Sequence, residues 1–289
     1  MSKTKHRPKV AIVSLTSCEG CQFVILDQGK RFLDWLKKVD LEEFRLLEDK
    51  PMLAEHYDIC FVEGNPVTKE NLKLLREMRR RSKLLIVLGN CAALGGVWEI
   101  KNYHLKKKTI KYVYQKLKVE NPTIKEVNNF VKVDFTIPCC PIVGDEFIEL
   151  IYQLLEKGIP KIPQNPVCYE CQTLGYTCLL QEGMICLGPI TLGGCKAVCL
   201  KSRQPCWGCR GLCEGAKVKN LMKHLLSNFP RQEVYQTMEV FGARDTIIEA
   251  LAKEGKPGLK KNKAGSKTSV KLLPIKSPAL PLVIKNKSK

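Results

Sequence analysis

The sequence predicts an α/β protein: a parallel sheet covered by helices, then a small irregular segment rich in cysteine, then a disordered basic tail. Three observations carry that prediction. Strand-like and helix-like runs alternate over roughly the first 150 residues. Apolar periodicity fades after a proline-rich stretch, where cysteine and glycine take over. From Gly255 to Lys289 there are ten lysines and no acidic residue. Alternation of strand and helix argues for parallel strands joined by helical crossovers.

Taken in order, Lys9–Leu15 (KVAIVSL) is a short apolar run rich in β-branched residues and reads as the first strand. Gln22–Lys37 follows at helical spacing, with Leu26, Leu33 and Leu36 expected on its inner face. A second strand is expected near Phe44–Glu48. Tyr57–Glu63 (YDICFVE) reads as a strand, and Thr68–Arg81 as a helix whose Leu72, Leu75 and Met78 stand among charges. Lys83–Leu88 (KLLIVL) reads as a buried strand, Val131–Ile137 as another, and Asp145–Lys157 as the helix after it. Gly158–Pro166, with three prolines in nine residues, reads as a linker. Periodicity then stays poor to Cys213, as expected where metal ligation replaces an apolar core. Ala216–Phe229 and Gln232–Lys253 read as helices. The expected division is 1–157, 158–230, a C-terminal helical stretch 231–254 and the tail 255–289.

A chain of 289 residues with 44% apolar content accommodates two domains. The basic stretch Met1–Lys9 precedes an apolar run of strand length, not a signal-peptide core, and no run approaches a membrane span. A cytoplasmic location is therefore expected, where thiols stay reduced and dense cysteine signals metal, not disulfides. The net charge of +19 suggests nucleic acid. Its distribution argues otherwise, because the tail alone supplies ten of the positive charges. With Pro257, Pro274, Pro278 and Pro281, that tail reads as disordered. A second cluster, Lys101, Lys106, Lys107, Lys108, Lys111, Lys116 and Lys118 with Tyr103, Tyr112 and Tyr114, reads as a solvated or partner-facing surface. Nucleic-acid contact is the alternative there.

The chemistry lies in the thiols. Cys18 and Cys21 follow the first strand, Cys91 follows Lys83–Leu88 in GNCAALGG, and Cys140 follows Val131–Ile137 in IPCCP. Parallel strands share one carboxyl edge, where open α/β folds place their sites, so these four thiols are expected to converge. Four thiolates suit zinc or an iron–sulfur cluster. Gly20, Gly89, Gly95 and Gly96 would let backbone turn tightly beside a bulky group. A thioredoxin-like redox pair is the other reading of Cys18–Cys21. Cys60, inside its strand, reads as an inert core residue. Of the adjacent pair, Cys140 is taken as the ligand and Cys139 as spare.

Nine of the fifteen cysteines form C-x2-C-x6-C-x7-C-x8-C-x3-C-x6-C-x2-C-x3-C from Cys168 to Cys213. Eight would serve two cubane clusters: Cys168, Cys171, Cys178 and Cys186, then Cys195, Cys199, Cys206 and Cys209. Cys213 is then left over, and interleaved ligation is the alternative. Zinc ribbons compete with this reading, but they use two tight C-x-x-C knuckles each, and only two such pairs occur here.

CEGC at 18–21, GNCAALGG at 89–96, IPCCP at 137–141 and the CLGPIT block from 186 together resemble the small subunit of a nickel–iron hydrogenase, of the soluble methyl-viologen-reducing and sulfhydrogenase type. The resemblance spans about residues 8–230 and leaves out the lysine tail. It implies a flavodoxin-like N-terminal domain holding a proximal cluster, and a following domain holding a medial and a distal cluster, three 4Fe-4S clusters in all. Cys18, Cys21, Cys91 and Cys140 would hold the proximal cluster. Cys168, Cys171, Cys178 and Cys186 would hold the distal one, and Cys195, Cys199, Cys206 and Cys209 the medial one. Cys139 stands where the family usually has glycine. The partners implied are a nickel–iron large subunit and a further electron-transfer subunit or carrier.

Membrane-bound uptake hydrogenases have a histidine as first distal ligand, where this chain has Cys168, and often only three medial cysteines, where Cys199 adds a fourth. Many relatives place a glutamate two positions after the second cysteine; this chain has Phe23, which removes the expected proton-relay residue, and Glu19 reads as a surface carboxylate. His6, His56, His104 and His224 are scattered and read as surface residues. No catalytic acid–base set is visible, so the hydrogen chemistry would belong to the partner. The rivals are a cluster-bearing subunit of a related quinone oxidoreductase or hydrogen-inactive complex, and a zinc-stabilised nucleic-acid-binding protein.

Overall fold

A computed structural model of the protein describes residues 7–47, 53–103 and 123–254. Five strands form one sheet in the order β2-β1-β3-β4-β5: β1 (Lys9–Ser14), β2 (Asp40–Phe44), β3 (Tyr57–Glu63), β4 (Ser82–Leu88) and β5 (Phe135–Ile137). Every neighbouring pair is parallel. This is the flavodoxin-like strand order, whose direction of winding reverses between β1 and β3.

Both faces of the sheet are covered, so its central strands are apolar along their whole length. Val10, Ile12, Ile59, Phe61 and Ile86 face one side. There they meet Ile25 of α1 (Gly20–Leu26), Trp35 of α2 (Lys30–Leu36), and Phe147 and Ile151 of a later helix, Gly144–Lys157. Ala11, Val13, Cys60, Val62 and Val87 face the other side, against Leu75 and Met78 of α3 (Lys69–Arg81) and Ala92 of α4 (Gly89–Leu94). The alternation follows the two-residue period of a strand. Thr68 starts α3 with a capping box, its hydroxyl accepting from the Asn71 amide at 3.1 Å.

Four expectations shift. The helix expected over 22–37 is two helices, because Gly29 turns the backbone at φ 53° between them. The turn resets the helical face: Phe32 and Trp35 are buried, while Leu33 is 58% exposed. The second strand lies at Asp40–Phe44, ahead of the expected span, and the strand expected at Val131–Ile137 pairs only over Phe135–Ile137. The helix expected over 232–253 is divided at Gly242, giving Arg231–Glu239 and Ala243–Glu254. His56 and His224 are exposed. His6, His104, most of the lysine cluster (106–118) and the tail 255–289 lie outside the described residues.

We label the remaining helices α5 (Gly144–Lys157), α6 (Val167–Thr173), α7 (Val218–Asn228), α8 (Arg231–Glu239) and α9 (Ala243–Glu254). The last three bury Leu221, Leu225, Val234, Met238 and Ile247 against Leu187 and Ile190 of the cysteine-rich segment. That segment is irregular apart from α6 and a single turn at Val198–Lys201.

Candidate metal centres

The carboxyl edge of the sheet assembles the first group of thiols. β1 ends at Ser14; Cys18 lies in the loop after it and Cys21 in the first turn of α1. Cys91 lies in the first turn of α4, directly after β4, and Cys140 follows β5. The four form one electrostatic neighbourhood: Cys91 senses Cys140 and Cys18, and Cys21 senses Cys140. Burial, and then the neighbouring thiols, push Cys91 up to about 12 and Cys140 up to about 11. Burial and Glu63 push Cys21 upward as well. Such thiols become thiolates only opposite a strong positive charge, which a bound metal supplies.

Glu63, at the end of β3, was not singled out by sequence. It is 2% exposed, and its carboxylate accepts from the Cys21 and Gln22 amides at 3.1 and 3.3 Å and from the Gln22 side chain at 3.1 Å. It thereby fixes the turn that presents Cys21. Trp98, close to the Cys91 sulfur, favours its charged form. Glycine shapes the space between the thiols. A Cβ on Gly89 would lie 2.5 Å from the Cys21 sulfur, and one on Gly96 would lie 3.0 Å from the Cys91 sulfur.

The second group lies around α6. Cys168 senses Cys186, Cys171, Cys178 and Cys213, and burial with these neighbours raises it to about 12. Cys171 senses Cys186 and Cys178. A Cβ on Gly188 would lie 3.3 Å from the Cys168 sulfur and 3.4 Å from that of Cys186, so both sulfurs border one cradle kept open by glycine.

The third group joins Cys195, Cys199, Cys206 and Cys209, and Cys139 reaches into it. Cys195 and Cys199 both sense Cys139, Cys206 senses Cys195, and Cys209 senses Cys206. Burial pushes Cys195 up to about 11 and Cys206 up to about 12. The Cys139 and Cys209 sulfurs are 3.8 Å apart. A local pattern recurs in these two groups: the backbone at Gly188, Ala197 and Gly208 favours the charged form of the sulfur two residues earlier, on Cys186, Cys195 and Cys206. Amide donation to sulfur favours thiolate and helps set cluster potentials.

Four polar residues tie the groups together, and sequence reasoning missed all of them. Asn90 donates to the Cys209 and Phe241 carbonyls, both at 2.9 Å. Glu170, on α6, accepts from the amides of Gly194 at 2.7 Å and Ala197 at 3.2 Å. Arg210 holds the Glu146 carboxylate of α5 through two bonds of 2.8 and 2.7 Å and reaches the Pro138 carbonyl at 3.3 Å. The Cys206 amide lies 3.3 Å from the Cys186 sulfur, linking the second and third groups. Adjacency offered a clue for three of them, since Asn90 precedes Cys91, Glu170 precedes Cys171 and Arg210 follows Cys209.

The sulfurs gather without closing on one point: among the described residues no three histidine, cysteine or acidic side chains are tight enough to bind one ion. A single zinc needs its thiolates at about 2.3 Å. Groups of four thiols bordered by glycine cradles are a donor set that fits an iron–sulfur cluster.

Glu99 stands apart from these groups. Burial, with Asp245 nearby, raises its carboxyl to about 8, and its Oε2 has no hydrogen-bond partner. A folded carboxyl above its usual 4.5 keeps a proton that the unfolded chain releases, so stability falls as pH rises from about 4.5 to 8. Glu99→Gln is expected to flatten that dependence and to exceed the unaltered protein by roughly 2 kcal/mol at pH 8, with little difference at pH 4.5. Anaerobic denaturant titrations at the two pH values measure it.

Comparison with known proteins adds four findings. The family described as NADH ubiquinone oxidoreductase, 20 Kd subunit, matches residues 18–154. The chain is 34% identical over 239 residues to sulfhydrogenase 2 subunit delta of Pyrococcus furiosus, covering 81% of this chain and 98% of that protein. It is 32% identical over 234 residues to a subunit of the F420-non-reducing hydrogenase of Methanocaldococcus jannaschii, covering 70% of this chain and 81% of the relative. Among solved structures, a chain of the actinobacterial-type NiFe-hydrogenase from Ralstonia eutropha H16 shares the fold, with a TM-score of 0.50 and 16% identity over 92% of this chain and 98% of that one.

Proposed function

The chain belongs to the family of hydrogenase small subunits, and from that footing we propose that it carries electrons between a nickel–iron large subunit and a further redox partner through three 4Fe-4S clusters. It is an oxidoreductase subunit, and the catalytic site for hydrogen is assigned to the partner. Cys18, Cys21, Cys91 and Cys140 would hold the proximal cluster, Cys195, Cys199, Cys206 and Cys209 the medial one, and Cys168, Cys171, Cys178 and Cys186 the distal one. When bound, such clusters take up and release single electrons at potentials set by ligands, hydrogen bonds and burial.

The observation that carries this reading is the sequence of contacts between thiol groups. The first group adjoins the third through the neighbouring residues Cys140 and Cys139, with Cys139 against Cys209. The third adjoins the second through Cys206 and Cys186. The chain's own residues provide the rigidity: Glu63 fixes the Cys21 turn, Glu170 fixes the Cys195 loop, and Asn90 and Arg210 fasten the cysteine-rich segment to the sheet edge. Phe23, Val97 and Trp98 are 53%, 49% and 38% exposed beside the first thiol group, and they offer an apolar surface to the large subunit. No described helix is long and apolar enough to cross a membrane; a cytoplasmic location is part of the proposal.

The match to the oxidoreductase 20 Kd subunit ends at residue 154, before the nine cysteines of Cys168–Cys213. A relay of one cluster, as that match alone would suggest, leaves those thiols unexplained. Anaerobic purification of the complex with its large subunit, followed by metal and sulfide analysis, is expected to find about twelve irons in this chain, four for each cubane. A zinc-loaded, colourless chain would overturn the proposal.

A further inference from the structure

Cys139 differs from an inert packing residue in three respects. Its backbone lies at φ 124°, where a residue with a Cβ is strained and glycine is not. It is only 6% exposed. Its sulfur stands 3.8 Å from that of Cys209, within hydrogen-bonding reach of it. Simple space filling does not require a thiol at a position that glycine would occupy without strain. The strain is offset by something the sulfur does.

The distance indicates what that is. At 3.8 Å the two sulfurs are in hydrogen-bonding contact, closer than two thiolates on different corners of a cubane would stand. Cys139 therefore does not fit as an additional ligand on another iron. A metal-bound Cys209 is a thiolate, which only accepts, so the one S–H of the pair belongs to Cys139.

We propose that Cys139 is a positioning and tuning residue whose thiol donates a hydrogen bond to the Cys209 sulfur and raises the reduction potential of the medial centre. Donation draws negative charge from the ligand sulfur, and the more negative, reduced state of a cluster gains more from it. The same residue is peptide-bonded to Cys140 of the first group. One peptide unit and one sulfur–sulfur contact therefore span the gap between the proximal and medial centres.

The test uses the complete complex, purified without oxygen, with Cys139→Gly and Cys139→Ser. Glycine relieves the φ strain, and serine keeps a hydroxyl donor. Because this inference rests on the three-centre function proposed above, the unaltered complex is assayed first: fewer than three clusters there defeats that function. Given three, Cys139→Gly is expected to keep all its iron. Its medial midpoint, followed by EPR during a redox titration, is expected to fall by about a tenfold change in the reduction equilibrium, or about 59 mV for one electron. The other two midpoints stay in place, and the serine variant shifts less than the glycine variant. An unmoved medial midpoint, equal shifts in the two variants, or loss of iron on substitution overturns the inference while leaving the three-centre function standing.

Discussion

Cys91→Ser is expected to remove about a third of the iron from the chain and to stop electron delivery between the partners. Cys91 occupies the first turn of α4, and its sulfur senses Cys140 and Cys18 and lies close to Trp98. Serine preserves the size of the side chain but offers a hydroxyl that ionises far less readily than a thiol, so on the proposed function one corner of the proximal cluster would lose its anionic ligand. Loss of a supporting hydrogen bond alone costs 10–100-fold in metal affinity or activity; loss of a ligand is expected to exceed about 100-fold in hydrogen-dependent dye reduction. The medial and distal centres lie beyond the Cys139 contact and are expected to keep their EPR signals. Loss of all three signals would show that the first group is a folding requirement for the rest. Unchanged iron would remove Cys91 from the ligand set.

The second large effect falls on stability. The Arg210 side chain is 0% exposed and that of Glu146 14%, so their paired bonds join the cysteine-rich segment to α5 largely shielded from water. Arg210→Met leaves the carboxylate buried and unpaired, at an expected cost of about 3–5 kcal/mol. Pairing it with Glu146→Gln is expected to recover much of that loss, because the stranded charge is then gone. Denaturant midpoints for the two single variants and the double variant close the cycle and isolate the coupling. Additive losses would mean that the two side chains do not act as a pair.

The sheet was legible in the sequence because its strands are buried on both faces. Tyr57–Glu63 matches its expected span, and Lys83–Leu88 extends by one residue to Ser82. Helix breaks were less legible. Gly29 and Gly242 look like tolerable interruptions of an apolar period, yet each adopts positive φ and divides a helix. At Gly242 the reason is tertiary: a Cβ would come within 2.5 Å of the Leu94 carbonyl, an element far away in sequence. Among the candidate site residues, the thiols of Cys168–Cys213 were visible because they cluster locally, and Cys18, Cys21, Cys91 and Cys140 because each follows a strand. Their polar supports did not cluster. Glu146 and Arg210 are 64 positions apart, and Asn90 and Cys209 are 119 apart, so no local window contains either pair. Glu63 left a faint sign, as an acid closing an otherwise apolar strand.

Asn90 has one more consequence. Its amide grips the Cys209 and Phe241 carbonyls while its own backbone sits next to Cys91. A span across the two halves of the chain is thus set by this short, stiff side chain together with Arg210, and not by the proline-rich stretch that joins them in sequence. In the proposed relay, where electron transfer falls off steeply with distance, thermal breathing of that stretch would leave the hop length untouched. The pace of electron flow should therefore tolerate insertions between Gly158 and Pro166 far better than any change at Asn90.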